Sequence, residues 1–173
     1  MNAALPISAT ILICSTVSPE FHETLPTRIA DSGRPDVTVI DCPVSGGTAR
    51  AADGTLTIFA SGKDDSLERA GGLLRDMSEK LYIIQGGAGA ASKVKMVNQL
   101  LVGTHIAAAA EAMALAAKAG LNTREVYNII TSAAGNSWAF ENRVPHMLHG
   151  DWTPCSALDI SVKDMVCFYP GCP

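Results

Sequence analysis

The feature that most constrains the fold is the confinement of β-rich runs to the first half of the chain. Four runs of four to six residues are rich in isoleucine, valine and threonine, at residues 9–14 (ATILIC), 37–41 (VTVID), 55–60 (TLTIFA) and 81–84 (LYII). Between the first two, Ser18 and Pro19 are typical of a helix start. A strand, a helix and a strand within about 30 residues form a βαβ unit, which predicts a parallel sheet.

The character of the sequence changes after Gly86. Residues 88–119 have apolar side chains at helical spacing and no proline, which predicts one long helix that ends at Gly120. Two shorter helices are predicted over residues 123–134 and 157–167, separated by a loop-rich stretch that contains Pro145, Gly150 and Pro154. We therefore expect an α/β piece followed by an all-α piece, with the boundary at residues 85–88.

The charge of the chain argues against nucleic-acid binding. Thirteen lysines and arginines stand against 17 aspartates and glutamates, which gives a formal net charge of −4. No run of basic residues provides the positive patch that a phosphate backbone requires. We expect no nucleic-acid partner.

Neither long apolar stretch is expected to cross a membrane. Residues 3–14 are interrupted by Pro6 and are too short to span a bilayer. Residues 100–119 contain His105 and Glu111, which is typical of a buried helix in a soluble protein. We expect no membrane partner.

The five cysteines predict a reducing compartment. They show no C-x-x-C spacing, and the opening of the sequence lacks the pattern of an export signal. We therefore expect free thiols in a cytoplasmic protein, with a mitochondrial location as the alternative. The four histidines show no ligand spacing either, so no metal site is expected.

A glycine-rich segment follows the fourth β-rich run. Residues 87–92 (GAGAAS) mimic the G-x-G-x-x-G fingerprint of dinucleotide-binding proteins. Serine replaces the third glycine, however, and no strand is predicted after the following helix. We favour a flexible junction that lets a helix start tightly against a sheet.

Two turns follow the first two predicted strands. Ser45, Gly46 and Gly47 come after the strand VTVID, and loops at the carboxyl ends of parallel strands face the binding crevice of such sheets. Their backbone N–H groups suit a carboxylate or a phosphate, although a plain turn explains the segment equally well. Ser15 and Thr16 occupy the same place after the first strand, where helix capping is the simpler explanation.

Lys95 is the most informative side chain. Lys95, Asn98 and Gln99 share one helix face, and this face continues as an apolar stripe. A desolvated lysine has a lowered pKa and can exchange protons near neutral pH. The alternative is an exposed lysine whose stem lies along apolar surface, an interpretation of equal weight that fits Lys93 better.

Four segments together resemble the β-hydroxyacid dehydrogenase family, which includes 3-hydroxyisobutyrate, L-threonate and 6-phosphogluconate dehydrogenases. They are residues 15–19 (STVSP), 41–48 (DCPVSGGT), 95–99 (KMVNQ) and 158–164 (LDISVKD). The resemblance implies the C-terminal half of a Rossmann-like sheet in residues 1–86, without the half that carries G-x-G-x-x-G. It also implies a long-helix all-α dehydrogenase domain in residues 87–173, and a chain truncated at both ends.

The resemblance implies a role for each candidate residue. Lys95 is the implied general acid/base in hydride transfer between a small hydroxyacid and NAD or NADP. The implied substrate-binding residues are Ser45, Gly46, Gly47, Asn98 and Gln99. The implied cofactor-binding residues are Ser15, Thr16 and Lys163. The residues alone describe Lys163 and Asp164 as an ordinary solvated pair.

Two functions of other classes stay open. One is a catalytically inactive remnant that serves association through the helix predicted at residues 88–119. The other is a module that binds acids at Ser45–Gly47 without a nicotinamide cofactor. In the family interpretation, we expect a homo-oligomer formed through helix 88–119.

Overall fold

The described chain combines strands and helices up to residue 83, and its regular elements beyond that residue are helices. The computed structural model describes residues 5–154 and 158–167. The strands are β1 (Thr10–Ile13), β2 (Thr38–Asp41), β3 (Val44–Ser45), β4 (Leu56–Ala60) and β5 (Ser78–Ile83). The helices are α1 (Pro19–Asp31), α2 (Gly47–Ala52), α3 (Asp64–Asp76), α4 (Ala90–Lys118), α5 (Thr123–Ile130), α6 (Trp138–His149) and α7 (Leu158–Val166).

The described residues form two compact units. The first unit contains the described chain up to Val97 together with α7, and the second contains the described chain from Asn98 to residue 154. The division between them therefore lies inside α4. The domain boundary predicted at residues 86 and 87 lies just before this helix and stays a prediction.

The predicted βαβ unit is confirmed. β1 and β2 are parallel neighbours, with Ile13 opposite Asp41 at their carboxyl ends. Between them, α1 is capped by Ser18, whose Oγ accepts a hydrogen bond from the N–H of Phe21 at 3.3 Å. This bond satisfies one of the N–H groups that the first turn of a helix leaves unpaired.

A second sheet contains β3, β4 and β5 in that order. β4 and β5 are parallel, whereas β3 runs antiparallel to β4. The backbone groups of Asp41 and Ser61 exchange hydrogen bonds of 3.0 and 2.8 Å, which bring the end of β2 beside the end of β4. The sequence did not predict β3 or α2, because elements this short show no periodicity.

The core of the first unit lies between the strands and α3. Ile40 of β2, Ile58 of β4 and Leu74 of α3 are fully buried and belong to one apolar cluster. Leu67 and Ala70 join Leu74 on the buried face of α3, at the spacing of an amphipathic helix.

Helix α6 replaces the loop-rich stretch that the sequence predicted. Ser137 caps this helix, because its Oγ accepts a hydrogen bond from the N–H of Phe140 at 3.0 Å. Pro145 lies inside the helix and has no N–H for the carbonyl of Glu141. That carbonyl accepts a hydrogen bond from the hydroxyl of Tyr127 at 3.3 Å instead. The prediction is wrong because it treats this proline as a loop signal.

Helix α4 confirms the predicted long helix but not its burial. Leu100, Leu101 and Leu115 are about half exposed or more, and 17% of the most apolar 18-residue window is buried. Within the described part of the chain, α4 is the one helix that is long and apolar enough to cross a membrane, judged by length and composition alone. The structure therefore leaves a large apolar surface along this helix.

Two adjacent leucines of α3 provide a test of the core. We expect Leu74→Ala to lower the free energy of unfolding by about 2–5 kcal/mol, because it opens a cavity at a fully buried position. Leu73→Ala is the matched control, since Leu73 is 54% exposed on the same helix. Urea unfolding followed by circular dichroism measures both variants. Equal losses of stability in the two variants would show that Leu74 does not belong to the core.

Candidate active site

The candidate residues of the first unit gather where parallel strands end. The segment from Cys14 to Thr16 follows β1, and the segment from Cys42 to Gly47 follows β2. Because the two strands are parallel, these segments lie at the same edge of the sheet. The Sγ atoms of Cys14 and Cys42 are 3.7 Å apart, which confirms that the two segments begin side by side.

Glycine is required in the turn between β3 and α2. Gly46 has a φ of +138°, and Gly47 has a φ of +68°, both in the region that favours glycine. A Cβ added to Gly46 would lie 2.7 Å from the Cβ of Arg50. Ser45 lies at the end of β3, so its hydroxyl immediately precedes a turn that only glycine forms without strain.

Lys163 of α7 contacts the segment after β1. Its Nζ donates a hydrogen bond to the carbonyl oxygen of Thr16 at 2.7 Å and lies 2.8 Å from Oδ1 of Asp164. The Lys163 side chain is half exposed, whereas that of Asp164 is buried. The structure thus brings together two residues to which the resemblance gives the same implied role.

Lys95 is buried, with 6% of its surface exposed. Burial lowers the pKa of its ammonium group; the negative charge of Asp164 opposes this shift, and the positive charge of Lys163 adds to it. Lys93 instead has an exposed side chain and forms an ion pair of 2.9 Å with Glu23. The interpretation of an exposed lysine therefore applies to Lys93 and not to Lys95.

A buried carboxylate, that of Asp41, holds the start of α4. Its Oδ2 accepts hydrogen bonds from the N–H of Ser92 at 2.8 Å and from the hydroxyl of Ser61 at 3.3 Å. Its Oδ1 accepts one from the hydroxyl of Ser92 at 2.8 Å and lies 3.1 Å from Nε2 of His22. All four residues are buried. We call them the Asp41 network.

The Asp41 network places the helix that carries Lys95. The N–H of Ala91 donates to Oγ of Ser61 at 2.9 Å, so two N–H groups of the first turn of α4 meet buried oxygen atoms. A carboxylate at this end is also favoured by the helix dipole. Burial lowers the pKa of His22, and the charge of Asp41 opposes that shift.

Sequence reasoning gave the Asp41 network no functional role. The available signal was an aspartate at the end of a run of strand residues. A carboxylate at that position is expected to be buried, and a buried carboxylate needs hydrogen-bonding partners. Among the described residues, no cluster of three or more histidine, cysteine, aspartate or glutamate side chains is arranged to hold a metal ion.

Asn98 and Gln99 lie on α4 within the second unit. Nδ2 of Asn98 donates a hydrogen bond to Oε1 of Gln99 at 3.1 Å. Both residues therefore present amide groups close to each other on one helix, and their implied contact with substrate stays a prediction.

Comparison with known proteins identifies both parts of the chain. The NAD binding domain of 6-phosphogluconate dehydrogenase matches residues 2–87, and the NAD-binding domain of NADP-dependent 3-hydroxyisobutyrate dehydrogenase matches residues 89–169. L-threonate dehydrogenase of Cupriavidus necator is 48% identical over 163 residues, which cover 94% of this chain and 54% of that protein. The chain spans about half the length of the curated relatives it matches.

Solved structures show the same relationship. The crystal structure of 3-hydroxyisobutyrate dehydrogenase from Salmonella typhimurium is 41% identical, with a TM-score of 0.86 over 96% of this chain and 57% of that one. A structure determined in complex with NADP+ is 26% identical, with a TM-score of 0.86 over 100% of this chain and 60% of that one.

The fold and the matched domains define a class of protein, the NAD(P)-binding oxidoreductases. Within this class, the two named relatives are dehydrogenases of the hydroxyacids L-threonate and 3-hydroxyisobutyrate. The chain belongs to the β-hydroxyacid dehydrogenase family.

The buried histidine of the Asp41 network predicts a loss of stability in acid. An unfolded histidine has a pKa near 6.5, whereas the pKa of His22 in the fold is lower. As pH falls, His22 is therefore protonated in the unfolded chain before it is protonated in the folded chain. The contribution of His22 is therefore complete above about pH 6.5 and is lost as pH falls through its lowered pKa. We expect the free energy of unfolding to fall by up to about 1.4 kcal/mol per pH unit from this group.

His22→Gln should remove that part of the pH dependence between pH 7 and pH 5. His149→Gln, at an exposed position of α6, is the matched control and should keep it. Chemical denaturation at a series of pH values measures the difference. A pH profile of His22→Gln that parallels the unsubstituted chain would contradict the assignment.

Proposed function

We propose that the protein containing this chain interconverts a small hydroxyacid and its oxo acid with NAD or NADP, and that Lys95 is the general acid/base. The observation that carries this proposal is the burial of Lys95, whose pKa is lowered by desolvation. A lowered pKa makes the neutral amine more accessible, and the neutral amine is the form that accepts a hydroxyl proton. Membership of the family supplies the class of reaction.

Three residues are proposed to hold the cofactor: Ser15, Thr16 and Lys163. Lys163 contacts the Thr16 carbonyl through its Nζ, and the positive charge of this half-exposed side chain suits a ligand that carries phosphates. Bound NAD or NADP supplies the hydride acceptor or donor.

Gly89 is not proposed to bind the pyrophosphate, because a Cβ there would lie 2.9 Å from the carbonyl oxygen of Pro19. The close approach makes Gly89 a packing position.

The proposed substrate contacts lie on two segments. Ser45, Gly46 and Gly47 are proposed to hold the carboxylate, since successive glycines with positive φ form turns whose backbone N–H groups can bind an anion. Asn98 and Gln99 are proposed to bind the substrate through their amide groups. L-Threonate is the first substrate to assay, because it is the substrate named for several relatives at 42–48% identity.

The chain's own chemistry in this reaction is proton transfer. During oxidation, the neutral Nζ of Lys95 accepts the proton of the substrate hydroxyl, and during reduction its ammonium group returns that proton. Asp164 favours the charged form of Lys95, because its negative charge raises the pKa that burial lowers.

Helix α4 is proposed to form the contact between copies of the protein. Its leucines are exposed, and an apolar groove of about 800 Å³ runs between α4, α5 and α6. Alanines 109, 112 and 116 of α4 line this groove with Phe140, and small side chains permit close helix packing. The same surface favours the second candidate function, an inactive remnant that only associates.

We propose a cytoplasmic location, in line with the free thiols of Cys14, Cys42 and Cys167.

Lys95→Ala should lower turnover by about 10²–10⁴-fold in the protein that contains this chain, because general acid/base catalysis contributes about that factor. The measurement is the steady-state rate of NADH or NADPH formation with L-threonate. Lys93→Ala is the matched control, because it removes an exposed lysine two residues away. Near-normal turnover of Lys95→Ala would remove this lysine from the mechanism.

Lys163→Ala should weaken cofactor binding several-fold, because it removes the positive charge beside Thr16. Fluorescence titration of the 173-residue chain with NADH and NADPH measures the affinity, and it tests cofactor binding without requiring turnover. Lys118→Ala, at the end of α4, is the control for a general loss of charge. Absence of saturable binding to the folded chain would favour the inactive remnant.

A further inference from the structure

Two thiols meet at the carboxyl ends of β1 and β2. The strands pair in parallel up to Ile13 and Asp41, and the N–H of Cys42 continues the ladder by donating to the carbonyl of Ile13 at 3.0 Å. Cys14 and Cys42 are therefore direct neighbours, and their Sγ atoms are 3.7 Å apart. Neighbouring strands lie about 4.8 Å apart, which is within the Cα separation that a disulfide bond spans. The strand spacing is therefore compatible with a disulfide bond between the two residues.

The two thiols have different surroundings. Cys14 is exposed, whereas Cys42 is fully buried beneath it. The hydrogen bond from Cys42 lowers the pKa of Cys14 to about 7, against the opposing effect of burial. The pKa of Cys42 is raised by that same hydrogen bond, by burial and by the negative charges of Cys14 and Asp41. Cys14 is thus the accessible thiolate, and Cys42 is the protonated partner behind it.

We propose that Cys14 and Cys42 are a modification site for hydroperoxides, at which Cys14 is oxidised and Cys42 closes a disulfide bond. An accessible thiolate next to a second thiol is the arrangement of a redox-sensitive cysteine pair. The proposal does not depend on dehydrogenase activity, because its evidence is the 3.7 Å approach of the two thiols and their different exposure.

The chemistry balances in two steps with hydrogen peroxide as the oxidant. The Cys14 thiolate attacks one peroxide oxygen, so an S–O bond forms, the O–O bond breaks, and hydroxide leaves and becomes water with a proton from the solvent. The Cys14 sulfur, now a sulfenic acid, has lost two electrons to the peroxide. The Cys42 sulfur then attacks it, so the S–S bond forms, the S–O bond breaks, and the Cys42 proton leaves in a second water.

The test is to expose the reduced 173-residue chain to hydrogen peroxide at pH 7, alkylate the remaining thiols and map the peptides by mass spectrometry. We expect a peptide pair linked through Cys14 and Cys42 that dithiothreitol separates. At pH 7, Cys14 should react about tenfold faster than an ordinary cysteine, because much more of it is thiolate. Cys167→Ser, which removes another free thiol of the described chain, should leave the linked pair unchanged.

Two variants separate the roles of the thiols. In Cys42→Ser, the linked pair should disappear, and dimedone should trap a sulfenic acid at Cys14. In Cys14→Ser, Cys42 should stay unmodified, because it is buried. Circular dichroism confirms that both variants fold, and the linked peptide from the unsubstituted chain tests the proposal even if one of them does not. Dimedone labelling of Cys14 in the unsubstituted chain without any linked peptide would overturn the proposal, as would a folded chain whose Cys14 resists oxidation.

Discussion

The buried carboxylate of Asp41 is the interaction on which the rest of the first unit depends. One side chain receives hydrogen bonds from the start of α4 and from the residue after β4, and it lies against a histidine of α1. A buried carboxylate with fewer partners would cost several kcal/mol. Each partner is therefore held in place by its contact with the same carboxylate. These contacts connect the strand ends with the start of α4.

The three lysines near this structure show how burial divides residues of one type into different tasks. Lys93 and Lys95 are one turn or less apart on α4, yet one has an exposed side chain paired with Glu23 and the other is buried. Lys163 lies between these extremes, with its head group on a backbone carbonyl. Burial lowers the pKa of Lys95, because a charged ammonium group is costly where water is excluded. This burial is the observation on which the role proposed for Lys95 rests.

The sequence predicted those parts of the fold that depend on local periodicity. β1, α1, β2 and the length of α4 follow from the residue pattern. For Lys95 the pattern left a buried and an exposed lysine open, and the structure shows the buried one. The Asp41 network did not follow, because its members are brought together only by folding, with Ser92 lying 51 residues from Asp41 along the chain. The exposure of α4 did not follow either, since an apolar pattern indicates which helix face tends to be buried and not which partner buries it.

Gly89 carries a lesson for the recognition of motifs. Its spacing from Gly87 imitates the dinucleotide fingerprint, yet its missing side chain admits the carbonyl oxygen of Pro19 at the start of α1. Its φ of +84° is a second reason why other residues are disfavoured there. A glycine at the junction of a strand and a helix can therefore serve either of two unrelated needs, the close approach of a ligand or the close approach of another backbone. Glycine spacing alone therefore does not distinguish a nucleotide-binding loop from a close contact between two backbone segments.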